Sequence, residues 1–166
     1  MLGEEGLIVY SGEKGLAILT GEFATYDTVF CQKYHLQVVK SIYHGGTIVS
    51  FPGDLDLAYI HWGPSDFGKK VIDFLAEWLR KKGLSVRQDN NDILVDDKKV
   101  ASYAIAMNDN GWYEDVVHIS IFSDELVISK ICTKRMVKKP GSLSDYGLKK
   151  EDIWNALIET RLIQPE

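Results

Sequence analysis

Gly45 and Gly46 follow His44 at the head of the strand-like run TIVSF, residues 47–51. A main chain without Cβ atoms can lie directly against a flat or charged group. Two readings fit: a ligand resting on bare peptide groups, or a tight bend into a hairpin. Farther along, Lys98 and Lys99 close the run DDKK, residues 96–99. By spacing alone this is a hairpin turn with surface lysines after it, because Asp tolerates turn conformations. The 4 histidines, His35, His44, His61 and His118, have no zinc-ligand spacing. With an ordinary imidazole pKa of about 6.5, His44 reads as a neutral hydrogen-bonding group at pH 7. His118 lies between Val117 and Ile119, so strand alternation turns it from that apolar side, toward a sheet partner or toward catalysis. His35 and His61 have no supporting company. Cys31 and Cys132 show neither a disulfide framework nor a metal site, and both are expected reduced. Lys130, Lys134 and Arg135 would lower the Cys132 thiol if they stand close to it.

The elements that must carry these residues fit one domain over residues 1–166. The chain is 45% apolar and 26% charged, ordinary for a globular domain. A net charge of −5 argues against broad nucleic-acid binding, which draws on phosphate neutralisation. The one basic stretch, KICTKRMVKKPG over 130–141, is either a solvated loop or a phosphate-binding segment. No apolar run is long enough for a membrane span, and MLGEEGLIVY lacks the basic start of a secretory signal. A cytoplasmic location is the expectation.

Short β-rich runs fill the first third: 6–10, 15–21 and 35–43, then TIVSF and LDLAYIHW on either side of the turn PGD. Residues 65–82 carry Phe67, Val71, Phe74, Leu75, Trp78 and Leu79 at helical spacing. Ser65 can cap that helix and Gly83 can stop it. Four more strand-like runs follow: LSVR, DILVD, KVASYAIAM and DVVHISIFS. A short helix is expected over 124–131 and a last one over 149–162. Alternation along KVASYA sends Lys99, Ala101 and Tyr103 to one face and Val100, Ser102 and Ala104 to the other. The sum is an α+β fold: a mixed, mainly antiparallel sheet with helices packed on one side.

Four segments in order carry a resemblance. HGGTIVSFPGDLDLAY is similar to the glycine-rich segment of the lipoate and biotin protein ligase superfamily. NNDILVDDKKVASYAIAM resembles its Asn-Asp and lysine signature. WYEDVVHISIFSDEL looks like its following His strand, and CTKRMVKKPGSLSDYGLKKEDIWNALIE looks like its ending. Together they span residues 40–159. The resemblance implies a biotin/lipoate ligase-like fold and enzymes that activate a carboxylic acid with ATP to an acyl-adenylate. The acyl group then passes to a lysine of a carrier domain. The tail and glycine segment lean toward lipoate, the Asn-Asp segment toward biotin.

On this resemblance Lys99 matches the central lysine, whose ammonium neutralises charge on the carboxylate and α-phosphate. Asn91 and Asp92 match the Asn-Asp pair and would hold the nucleotide, or a Mg²⁺ bound with ATP near Asp92. His44, Gly45, Gly46, Lys40, Ser102 and His118 complete the implied acyl and nucleotide contacts. No protein-held metal is expected. The implied partner is a lipoyl-type carrier domain or a complementing ligase subunit, with neither nucleic acid nor membrane. This chain departs from the pattern at ligand-facing positions. A basic pair becomes Lys40-Ser41, a glycine triplet becomes His44-Gly45-Gly46, and a Gly-Asn becomes Gly53-Asp54. Ala101, Tyr103 and Ile119 stand where smaller residues are usual, and would narrow the pocket. Two alternatives therefore stand beside the ligase: a non-catalytic relative or one part of a two-chain enzyme, and an octanoyltransferase using Cys132. Trp112 and Tyr113 could wall an acyl chain or purine, or simply pack.

Overall fold

A computed structural model describes residues 5–10, 17–20, 25–40, 46–133 and 136–163. The chain runs β1 (Gly6–Tyr10), β2 (Ala17–Thr20), α1 (Thr28–Lys33), β3 (Gln37–Lys40), β4 (Thr47–Ser50), β5 (Leu55–Trp62) and α2 (Phe67–Lys81). It continues β6 (Val86–Asp89), β7 (Asp92–Val95), β8 (Lys98–Met107), β9 (Trp112–Ile119), α3 (Glu125–Ile131), β10 (Lys139–Pro140) and α4 (Lys150–Glu159). A 7-stranded sheet has the order β1-β5-β9-β8-β7-β6, with β10 pairing β8 in parallel beyond the end of β9. A second, 3-stranded sheet has the order β3-β2-β4. All neighbours along the large sheet's main path are antiparallel, as the period-2 runs predict.

Helix α2 forms because its apolar residues recur every three or four positions, giving one stripe. Val71, Ile72, Leu75, Ala76 and Leu79 are all buried against the large sheet. The Ser65 hydroxyl accepts from the Phe67 N–H, and Gly83 leaves the helix at φ +86°, where a side chain would strain. Helix α4 adds Ile153 and Leu157 to the same core. The DDKK turn is as read: Asp96 and Asp97 both have positive φ, the geometry that matches strand twist in a two-residue hairpin.

A smaller core joins Cys31 of α1, Val49 of β4, Phe51 and Ile131 of α3. Helix α1 escaped the sequence reading: it has 6 residues, too few for a period to emerge, and starts from an Asp27 carboxylate accepting the Phe30 N–H. A cleft opens between this smaller core and the large sheet: Val49, Ile128 and Cys132 line it together with Asp92, Ser102 and His118. Among the described residues, no helix is long and apolar enough to cross a membrane.

Candidate active site

The register of the large sheet lays polar groups in a row. Asp56 of β5 pairs with His118 of β9, His118 with Ser102 of β8, and Ser102 with Asp92 of β7. Directly opposed residues on neighbouring strands share a face, so four adjacent strands present Asp56, His118, Ser102 and Asp92 side by side. Asp92, Ser102 and His118 of this row line a cleft of about 310 Å³, near the lower end of small-molecule sites. Ile48 and Val49 of β4, Val100, and Ile128 of α3 supply apolar wall.

Lys99 joins this row through a β-bulge, which corrects the alternation expected from sequence. Ile93 pairs with Ala101, but Leu94 pairs with Lys99, leaving Val100 as an extra residue. One inserted residue reverses which face the next side chain takes. Lys99 therefore shares the cleft face with Ser102 instead of the opposite face with Ala101 and Tyr103. Its Nζ lies 2.9 Å from Asp92 Oδ1. The other Asp92 oxygen takes Lys138 Nζ at 2.7 Å. Lys138, just before β10, lines the cleft too. It lay inside the basic stretch read as loop or phosphate segment, and nothing local in the sequence singled it out from its neighbours.

His118 is buried, with Nδ1 2.7 Å from Asp56 Oδ1. Asp56 also accepts from the Ser50 hydroxyl at 2.5 Å. Burial pulls the imidazole pKa down, but the charge and hydrogen bond of Asp56, helped by Asp54, outweigh it and leave it raised. Nε2 is 4.0 Å from Asp54 Oδ2, too far for a hydrogen bond, and it borders the cleft. Asp54 accepts the N–H groups of Phe51, Ile121 and Phe122. Its burial nonetheless pushes it up to about 6, against the pull of His118 and those three amides. His118 is thus a satisfied sheet partner, the first of its two readings, and it also lines the cleft.

The other expected site residues divide. Gly46 lies just ahead of β4, and among the described residues a Cβ there would meet nothing within 4 Å. His44 and Gly45 lie outside the described residues. Asn91 is exposed and lies outside the cleft lining, its carbonyl accepting the Tyr103 N–H. Lys40 is exposed on β3, separated from the cleft-lining β4 by β2, and does not reach the cleft wall. Asp92 does not fit a metal ligand. Both of its oxygens hold ammonium groups, and among the described residues no cluster of three or more metal-binding side chains occurs.

Two further expectations are corrected, and the choice left open for Trp112 and Tyr113 falls to packing. Tyr103 and Ile119 do not narrow the cleft. They face the α2 core, where a Cβ on Gly68 would come within 2.9 Å of the Tyr103 ring. Trp112 and Tyr113 sit at the far end of β9, six residues or roughly 20 Å from His118. There Trp112 packs edge-on to Trp62 and Tyr113 stacks on His61. Cys132 does line the cleft, but burial, seconded by Cys31, pushes its thiol up instead of down.

Among the described residues, a 7-stranded, mainly antiparallel sheet and four α-helices make an α+β fold with a cleft on one face of the large sheet. The sequence matches no protein-family model and no curated protein. Solved structures supply the comparison. The chain is similar to a bi-partite lipoate protein ligase from Thermoplasma acidophilum, with TM-score 0.73 and 18% identity over 94% of this chain and 69% of that one. It is similar to a lipoate-protein ligase A bound with ATP, with TM-score 0.74 and 18% identity over 94% of this chain and 70% of that one. A third neighbour is P. falciparum LipL1 in complex with lipoate, at TM-score 0.75 and 16% identity, where the match covers 96% of this chain and 50% of that protein. The chain carries the lipoate-protein ligase fold in a divergent form.

Proposed function

We propose that the cleft binds lipoate or a similar short acyl acid and activates it with ATP for transfer to a lysine of a lipoyl-type carrier domain. In the first step a carboxylate oxygen attacks the α-phosphorus of ATP, and the bond to pyrophosphate breaks. In the second, the carrier amine attacks the acyl carbon, the bond to AMP breaks, and the amine loses a proton. Both steps gather negative charge on the carboxyl and α-phosphate oxygens, which a preorganised cation stabilises.

The observation that carries this reading is the donor count at Lys99. An ammonium has three N–H groups. Among the described residues, Lys99 spends one, on Asp92. Two remain for a ligand beside the apolar wall that an acyl chain requires. His118 Nε2 borders the same space. The ligase-type fold and the ligands bound by its neighbours, ATP in one and lipoate in others, support the assignment of these two substrates. No magnesium step is assigned to Asp92.

Pyrophosphate exchange tests the first step: the full chain, ATP, labelled pyrophosphate and lipoate, octanoate or biotin in turn. Exchange with lipoate or octanoate is expected, and none with any of the three acids counts against the proposal.

A second reading has its own observation. Val137 lines the cleft yet is 96% exposed, so this wall is open to water on its outer side. An apolar residue so placed suits closure by another chain, as in a ligase made of two parts. The expected result is then binding of an acyl-adenylate analogue without exchange. The cysteine route is disfavoured, because a thiol raised by burial is a poor thiolate source.

A further inference from the structure

Lys138 lines the cleft, yet its ammonium is fully engaged. It donates to Asp92 Oδ2 at 2.7 Å, to Asp89 Oδ2 at 2.9 Å and to the Asp89 carbonyl at 3.3 Å. Three donors meet three acceptors, so none is left for a ligand. Lys99, with one partner, is the opposite case. The two ammonium groups meet at one carboxylate, each on its own oxygen. This triad is partly dehydrated: side-chain exposure is 36% for Lys99, 22% for Lys138 and 18% for Asp92. Charges so placed are felt more strongly than at an open surface.

The strut is rigidly mounted. Residues 139–140 pair in parallel with Lys98 and Lys99, and the Gly141 N–H donates to the Lys99 carbonyl at 2.8 Å. A Cβ at Gly141 would come within 2.7 Å of Lys98 Cβ and 3.0 Å of Val100, so only glycine allows β10 to dock this closely. Lys138 is thereby fixed next to the bulge that aims Lys99.

We infer that Lys138 is a positioning residue: it neutralises Asp92, so that Lys99 keeps both its aim and an uncancelled positive charge for the ligand. Without Lys138, Lys99 and Asp92 form a closed neutral pair that a ligand anion must break. With it, Asp92 divides between two ammonium groups, and Asp89, the other carboxylate on Lys138, is itself paired with Arg87 Nη1 at 3.5 Å. Asp92 then acts as a guide for Lys99, which explains why both of its oxygens are taken by ammonium groups. The inference rests on the acyl-ligand reading of the cleft and adds a residue to it.

The test uses the full chain and four variants: Lys138→Met, Lys138→Arg, Asp92→Asn and the double variant Asp92→Asn/Lys138→Met. One readout needs no ligand: the rate at which an acetyl N-hydroxysuccinimide ester labels Lys99, followed by peptide mass. The other is the calorimetric affinity of an octanoyl-sulfamoyl adenosine. Lys138→Met is expected to lower both by ~10-fold, because Asp92 then sequesters Lys99. Lys138→Arg keeps the charge and should stay within ~3-fold of wild type. The deciding variant is the double one. Removing Asp92 as well frees Lys99 but loses its guide, so the labelling rate should return to within ~3-fold of wild type and the affinity should rise above that of Lys138→Met, a coupling that a purely structural role would not show. A double variant as poor as Lys138→Met overturns the inference and makes Lys138 a tether for Asp89 and Asp92. If the wild-type chain does not bind the analogue at all, the acyl reading fails, while the labelling series still decides whether Lys138 positions Lys99.

Discussion

Strands β5 and β9 carry a buried His–Asp pair at each end, and the two pairs do opposite things. At the cleft end, His118 holds Asp56 through Nδ1 and leaves Nε2 bordering open space. At the far end, on the α2 face, His61 has no freedom. Its Nδ1 lies 2.7 Å from the Gly63 carbonyl and its Nε2 3.4 Å from Asp115. Its ring is stacked between Tyr59 and Tyr113 at 4.9 and 5.5 Å. Asp115 also accepts the Gly68 N–H in the first turn of α2, so this pair fastens a helix to the sheet. Residue type does not separate a histidine that lines a cleft from one that only fastens the fold. What separates them is whether a ring nitrogen remains unspent where a ligand could stand.

The largest expected effect lies at the cleft end. Lys99→Met should cut pyrophosphate exchange by ~10²–10³-fold, the usual scale for losing one preorganised charge-stabilising donor. Its unfolding midpoint in urea should stay near that of wild type, because Lys99 is partly exposed and carries no core contact. A variant that kept full activity would remove Lys99 from the chemistry and leave the two ends of the sheet functionally alike.

Stability against pH sharpens the same contrast. Asp54 is raised to about 6, first by burial. The folded chain therefore binds this proton more tightly than the unfolded chain, whose carboxylates titrate near 4. Between about pH 4 and 6, stability from this group falls as pH rises. A shift of this size corresponds to on the order of 3 kcal/mol across the window. His118, also raised, adds in the same direction: its contribution is complete below the ordinary imidazole pKa and is lost as pH rises through the folded one. Urea denaturation from pH 4 to 8 checks this. Asp54→Asn should flatten the acid half of the profile, and a wild-type stability no steeper than the variant's would refute the assignment.

Much of the frame was legible because it repeats. Helix α2 shows its stripe over 15 residues, and Asp96-Asp97 announces a turn that only a few residue types tolerate. The site was legible only as far as its parts were local. Asp92, Lys99, Ser102 and His118 were named from short segments, and they do converge. What stayed hidden depends on register. The bulge at Val100 has no glycine to mark it, and without it Lys99 points at α2. Lys138 reads like its neighbours Lys134 and Lys139 until β10 is docked. His61 looked solitary because its partners, Asp115 and Gly63, are joined to it only by strand pairing and a turn. Lys40 failed in the opposite way. Its position near the glycines in sequence suggested contact, but β2 intervenes.

At the far end the expected loss is in stability and not in chemistry. Asp115→Ala leaves the Gly68 N–H without its acceptor in a buried place, and it strips His61 of one partner. Each unmet buried group costs about 1–3 kcal/mol, so a loss of about 2 kcal/mol in urea is expected, with exchange per folded molecule unchanged. A fall in specific activity matching the Lys99 variant would mean that the two ends are coupled through β9.

The smallest effect is expected at Cys132, and it separates two chemistries for one cleft. The thiol lines the wall, so an acyl thioester is sterically conceivable there. Burial and Cys31 hold it protonated, however, and a protonated thiol attacks an acyl group poorly. Lys99 lines the same cleft, and its donors suit an oxyanion or a phosphate. Cys132→Ser exchanges a sulfur for an oxygen in the same place, and should change acyl transfer per folded molecule by less than ~3-fold, since a protonated thiol contributes little as a nucleophile. A mass shift on Cys132 after incubation with an octanoyl-carrier donor, together with loss of transfer in the serine variant, would reverse this ranking and move the nucleophile from the carrier's lysine to the chain itself.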